Sequence, residues 1–146
     1  MTQEHCSFCD GYHVEPETIE HFMPKSHPDF LHLAYEWTNL YYCCGGCQGH
    51  KVETWDALLL RPDADDFRFE RYFSYDFASG AISPNLAASL DDQQRAATTI
   101  QTYGLDSARR RRFRREQRLI FEQSEEKNLD LFGYRNFIGA AESAKF

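Results

Sequence analysis

Two Cys-x2-Cys turns, Cys6-Ser7-Phe8-Cys9 and Cys44-Gly45-Gly46-Cys47, restrict this chain more than any other feature. Each such turn aims two sulfurs at one centre, so the pair can close a tetrahedral zinc site from four thiolates. The 34 residues between Cys9 and Cys44 exceed the separation in a zinc ribbon. The metal is therefore expected to staple the base of a loop that carries other chemistry. Four thiolates leave no open coordination position, which makes such an ion structural. The fifth cysteine, Cys43, is left over.

Inside that loop stand Ile19-Glu20-His21-Phe22-Met23-Pro24 and Trp37-Thr38-Asn39-Leu40, and just after it Gln48-Gly49-His50-Lys51. His21 is the candidate general base. A neutral imidazole, with an unperturbed pKa of ~6.5, can take the proton of a water attacking a phosphodiester. Glu20 offers a hard oxygen ligand for Mg²⁺ or a softer divalent ion. On a strand the two neighbours point to opposite faces unless the strand bends. Asn39 can hydrogen-bond the backbone across the loop and so orient His21, although an Asn is otherwise a turn or cap residue. Gln48 and His50 open a helix, where backbone N–H groups favour a phosphate. His50 is the better donor for a divalent ion, but Gln48 lies directly after the knuckle. Residues two apart on a helix do not share a face, so one of them at most reaches the ion held by Glu20. Lys51 is a candidate phosphate contact.

The 146 residues fit one domain, with residues 1–62 as the metal-stapled core and 63–146 as a β-hairpin and helical extension packed on it. Neither a charged-then-apolar leader nor an 18-residue apolar run occurs, which points to a cytoplasmic protein without a membrane span. The formal charge is −7, but residues 109–118 hold seven Arg and one Glu, a local +6 that leaves −13 on the remainder. A dense basic stripe on an acidic body reads as a phosphate-contacting surface, with Arg110, Arg111, Arg114 and Arg115 as candidates, or as a grip on an acidic protein surface.

Local signals place a strand over residues 17–22, ended by Pro24; residues 31–39 fit either a short helix or a loop, with Trp37 and Leu40 expected to anchor the segment in the core. A helix is expected from Gln48 to about Leu60, burying Trp55, Leu58 and Leu59, and stopped by Arg61-Pro62. Residues 67–77 read as a strand that returns at 81–83 after Ser79-Gly80. Ser89 caps a helix that Gly104 stops, and Asp106 or Ser107 caps another through Gln123, with Leu119 and Ile120 on its apolar side. Leu131, Phe132, Tyr134 and Phe137 are expected to pack back on the body.

Taken in order, Cys-x2-Cys, Glu-His-x-x-Pro, Trp-x-Asn-Leu and Cys-x2-Cys-x-x-x-Lys resemble the zinc-stapled HNH endonucleases, the ββα-metal nucleases. The wording of residues 19–26 and 35–40 is most similar to the HNH component of Septu-type and retron-linked antiphage systems. The resemblance is specific over residues 6–51 and looser through Leu60-Arg61-Pro62-Asp63, Arg71-Tyr72-Phe73 and Tyr103-Gly104-Leu105. It implies an α+β fold with a zinc-stapled ββα-metal core and a helical C-terminal part. It also implies phosphodiester hydrolysis of nucleic acid, DNA ahead of RNA, and an ATPase partner. Carried over, His21 is the base, Asn39 orients it, Glu20 and Gln48 hold Mg²⁺ or Mn²⁺, and Cys6, Cys9, Cys44 and Cys47 hold zinc. The sequence departs from the family in having Glu20 where Asp is common and Gln48 where His or Asn is usual. Hence His50 stays a competing ligand, and a non-catalytic zinc module docking on an ATPase or nucleic acid is the rival reading.

Overall fold

The computed structural model describes residues 2–13 and 16–146. Thr18 and Ile19, β-branched, favour extended backbone, and strand β1 runs over Glu17–His21. It pairs antiparallel with β2, Leu40–Cys44, in a register that sets Glu20 opposite Tyr41 and His21 opposite Leu40. The usual alternation is reversed on β1. Glu20 points inward and is 3% exposed, while Ile19 is 55% exposed.

The second knuckle then winds directly into helix α1, Gly45–Lys51, with the Cys44 sulfur accepting from Cys47 N–H at its start. The helix expected to reach Leu60 stops at Lys51, because Val52 takes a φ of 46° that no helix continues. Val52 and Thr54 are β-branched and hold a helix weakly. Breaking there also lets Leu59 and Leu60 enter the core from a separate turn, whereas Trp55 stays largely outside and Leu58 is half-buried.

Residues 69–72 form a short helix, α2 (Phe69–Tyr72), in place of the first part of the expected strand. Arg71 fastens it to the next helix through Asp92 oxygens at 3.0 and 3.1 Å. Strands β3 (Phe73–Asp76) and β4 (Ala81–Pro84) make a second antiparallel pair around the Ser79-Gly80 turn. Helix α3, Leu90–Tyr103, is capped by the Ser89 hydroxyl accepting from Asp92 N–H, a contact worth about 1 kcal/mol. Gly104 ends α3 at φ 60°. A Cβ there would sit 2.6 Å from the His50 ring, so both the left-handed backbone and the close approach require glycine.

Ser107 caps α4, Ala108–Gln123, and the chain closes with α5, Arg135–Ser143. Leu119 and Ile120, expected on the apolar side of α4, are 55% and 52% exposed. The inward residues are Arg110, Arg114 and Phe121, with Gln117 accepting from Gly133 N–H on the same side.

The result is a mixed α+β protein whose main core crosses from the N-terminal half to the C-terminal one. Phe8 from the first knuckle stacks on Tyr103 of α3 at 4.1 Å, and Tyr41, Leu59, Leu60, Tyr72 and Ile82 complete the packing. A smaller cluster joins Phe121, Phe132 and Ile138. The C-terminal segment folds back as expected through Phe132, Tyr134 and Phe137, although Leu131 stays half-exposed. Arg135 grips Asp10 in the first knuckle turn at 2.8 Å, and Asp10 C=O accepts from Tyr134 N–H. Among the described residues, no helix is long and apolar enough to cross a membrane.

Candidate metal centre and active site

The loop between the knuckles brings Cys6, Cys9, Cys44 and Cys47 together. Their four sulfurs lie within 4.8 Å of one another, all buried, with Cys9 and Cys44 at 3.8 Å. Four zinc–sulfur bonds of ~2.3 Å in a tetrahedron require sulfurs about 3.8 Å apart, so the donor set fits a structural zinc. Backbone N–H groups of Gly11, Cys44 and Cys47 point at the sulfurs of Cys9, Cys6 and Cys44 at 3.3–3.4 Å. Such donors favour thiolate over thiol. Hydrogen bonding from the Cys47 side chain draws the Cys44 thiol down, while contacts among the cysteine sulfurs together with burial push Cys9 and Cys47 up. Cys43 is also fully buried but turns its sulfur to the Cys44 carbonyl, outside the set.

At the far end of β1 a second constellation gathers. The Asn39 side chain, 3% exposed, accepts from Met23 N–H at 2.8 Å and donates to the carbonyls of Met23 (3.0 Å) and Leu33 (3.2 Å). It thereby ties the turn after His21 to the turn before β2, the cross-loop bond expected of it. Because Asn39 takes the inward place, Trp37 two residues earlier is turned out and 86% exposed, against its expected anchoring role. Leu40 is half-buried.

His21 Nε2 lies 3.0 Å from Ala34 C=O. A carbonyl only accepts, so Nε2 carries a hydrogen, and in the neutral form of the ring the lone pair lies on Nδ1. Gln48 Nε2 donates to Ile19 C=O at 3.2 Å, which ties α1 to β1 beside Glu20. His50 goes the other way, with its ring against Gly104 at the end of α3.

Lys51 is not a surface lysine. It is fully buried, with Nζ 2.6 Å from Glu20 Oε1 and 3.0 Å from His21 C=O. The phosphate contact expected of it is therefore corrected: its ammonium is spent on β1. Burial pushes the Glu20 carboxyl above its usual value, and Lys51 opposes that shift. Carboxylate and amide oxygens are the donor types that suit Mg²⁺ or Mn²⁺, but the Glu20 carboxylate is buried and held by Lys51, and among the described residues the four cysteines are the one cluster of metal-ligating side chains.

The arginine stripe is corrected as well. Arg114 is 2% exposed and donates to Gly80 C=O at 2.5 Å and Leu105 C=O at 2.9 Å. Arg110 is 7% exposed and directs Nη2 to Cys47 Sγ at 3.1 Å and Cys44 Sγ at 3.8 Å. Arg111 pairs with Asp106. Neither Arg110 nor Arg114 is available to phosphate, and of the four expected contacts Arg115 alone is exposed. The inward set 110, 114, 117 and 121 has the spacing of one helical face ending in an aromatic residue. That spacing is the signal by which the inward turn of Arg110 could have been found; its sulfur partners lie 63 and 66 residues away in the chain.

No protein-family model matches the chain, and no curated protein matches it.

Proposed function

We propose that the chain is a metal-dependent HNH endonuclease, the nuclease effector of a bacterial antiphage system that works with an ATPase partner. The observation that carries this reading is the joint placement of His21 and Asn39. The base stands at the end of β1 with Nε2 on the Ala34 carbonyl, and Asn39 ties the backbone at Met23 to that at Leu33 across the loop that follows.

In this reading the Nδ1 lone pair of His21 takes the proton of a water attacking phosphorus. The Ala34 carbonyl holds the imidazole in the tautomer that can do so. Glu20 and Gln48 would hold Mg²⁺ or Mn²⁺, which supplies charge stabilisation at the phosphate. Tyr35 and Trp37, 94% and 86% exposed, flank the His21 loop and offer ring faces on which bases can stack. With Arg110 and Arg114 turned inward, the acidic body repels a duplex except at the remaining arginines, and the partner supplies a large share of the nucleic-acid grip.

The rival, a non-catalytic zinc module, is favoured by one observation: Lys51 already neutralises the carboxylate that would hold the catalytic ion. A plasmid-nicking assay with Mg²⁺ or Mn²⁺, alone and with the partner ATPase, separates the two. Wild type is expected to nick, and His21→Ala to lose ~10²–10⁴-fold in rate with zinc content unchanged. Absence of nicking under every condition, or a His21→Ala variant as active as wild type, favours the rival.

A further inference from the structure

We propose that Arg110 is the built-in counter-charge of the four-cysteine metal centre, a positioning residue delivered to it by the helical half of the chain. The inference rests on the reading of Cys6, Cys9, Cys44 and Cys47 as metal ligands. A divalent ion on four thiolates keeps a net charge of about −2, which a buried site must offset. Arg110 comes from the first turn of α4, 63 residues beyond Cys47, and places Nη2 at 3.1 Å from Cys47 Sγ and 3.8 Å from Cys44 Sγ. Its side chain is buried, and among the described residues those two sulfurs are its hydrogen-bond partners.

The knuckle is shaped to admit it. A Cβ on Gly46 would meet Arg110 Nη2 at 3.3 Å, tighter than most such contacts, so glycine leaves the guanidinium its place above the sulfurs. A guanidinium stays charged at any physiological pH. Facing four neutral thiols it would be a buried, unpaired cation, which is strongly unfavourable. Facing metal-bound thiolates it donates a charge-assisted hydrogen bond and lowers the net charge of the centre. Arg110 and the metal therefore stabilise each other, and metal occupancy is coupled to the docking of α4 on the knuckles.

The test compares wild type, Arg110→Met, Arg110→Gln and Arg110→Lys. Zinc affinity is measured by chelator competition and the rate of zinc loss by transfer to a chromogenic chelator, with Co²⁺ spectra reporting the sulfur ligand field. Loss of the charge is expected to weaken zinc binding by about 10–100-fold, the range for groups that support metal ligands. Zinc loss should be correspondingly faster in the Met and Gln variants, and Lys should recover part of it. The order of the variants separates charge from packing: Arg110→Lys, which keeps the charge but loses the planar guanidinium, should hold zinc more tightly than Arg110→Gln or Arg110→Met. Equal zinc affinity in wild type and either neutral variant overturns the proposal, as does an Arg110→Lys variant that binds zinc no better than Arg110→Gln. Should the Met variant not fold in zinc, Arg110→Gln, which keeps a polar donor without charge, decides by the same affinity measurement. Wild type that holds no zinc refutes instead the metal reading on which the proposal stands.

Discussion

Lys51 Nζ lies 2.6 Å from Glu20 Oε1 inside the protein, and the same ammonium donates to the carbonyl of His21. One side chain from α1 thus fixes both residues of the Glu-His pair on β1. The pair also explains how a strand can carry a carboxylate on its inner face.

Removing the ammonium leaves that carboxylate buried and alone. Lys51→Met is expected to cost ~3–5 kcal/mol of stability at pH 8. The sign of its pH dependence follows from Glu20, whose carboxyl is raised above its ordinary 4.5 by burial while Lys51 opposes the shift. A raised acid binds more protons folded than unfolded, so its stabilising contribution is complete below the ordinary value and is lost as pH rises through the raised one. Without Lys51 the upward shift grows. The gap between wild type and Lys51→Met should therefore widen from pH 5 to pH 8, read as urea midpoints in saturating zinc. A gap that does not change with pH would mean that Lys51 acts through packing alone.

Metal removal tests the staple. Cys47→Ser, or chelation of wild type, should release about one zinc per chain and unfold the β1–β2–α1 region, because binding energy at such a site is folding energy. Metal analysis of folded wild type is the check, and a zinc-free folded protein would refute the four-cysteine assignment.

The third prediction concerns the divalent ion proposed for the Glu20 end of β1. Gln48→Ala should raise the Mg²⁺ or Mn²⁺ concentration needed for cleavage, since Gln48 bonds β1 at Ile19. His50→Ala should leave it unchanged, because the His50 ring packs on Gly104 instead. The reverse pattern in a metal titration of cleavage would reassign the ligand to His50.

The arginine stripe divides into two groups that mutation should separate. Arg114→Met is expected to lose about 1–3 kcal/mol, because the carbonyls of Gly80 and Leu105 lose their donor. Changing the exposed Arg109, Arg112 and Arg115 to Gln should leave the denaturation midpoint within about 0.5 kcal/mol per site. If that face meets duplex phosphates, the triple variant should also lower the log–log salt slope by ~0.9 for each phosphate no longer neutralised. Equal thermal midpoints for Arg114→Met and wild type would contradict the buried placement.

Much of the framework is legible locally. The knuckle spacing announces the cysteine cluster, Ser89 and Ser107 announce their helices, Gly104 the stop between them, and Asn39 its cross-loop bond. Each depends on residues a few positions apart or on a ligand geometry that two short turns dictate. The end of α1 is not legible in this way, because the apolar residues of 55–60 also fit a helical face. In the fold, Leu59 and Leu60 reach the core only after the chain has turned at Val52.

What the sequence could not decide was the direction of its charges. A lysine after a knuckle and a run of arginines read as phosphate contacts, since a charge left to itself stays in water. Their burial depends on partners far along the chain: Glu20 for Lys51, the sulfurs of Cys44 and Cys47 for Arg110, the carbonyls of Gly80 and Leu105 for Arg114. Trp37 and Leu119 are turned outward for the complementary reason, that polar residues with committed partners occupy the inward positions beside them. Local pattern sets which backbone forms. Which side of it is interior is decided only when tertiary packing brings opposite charges and unpaired acceptors within hydrogen-bonding distance.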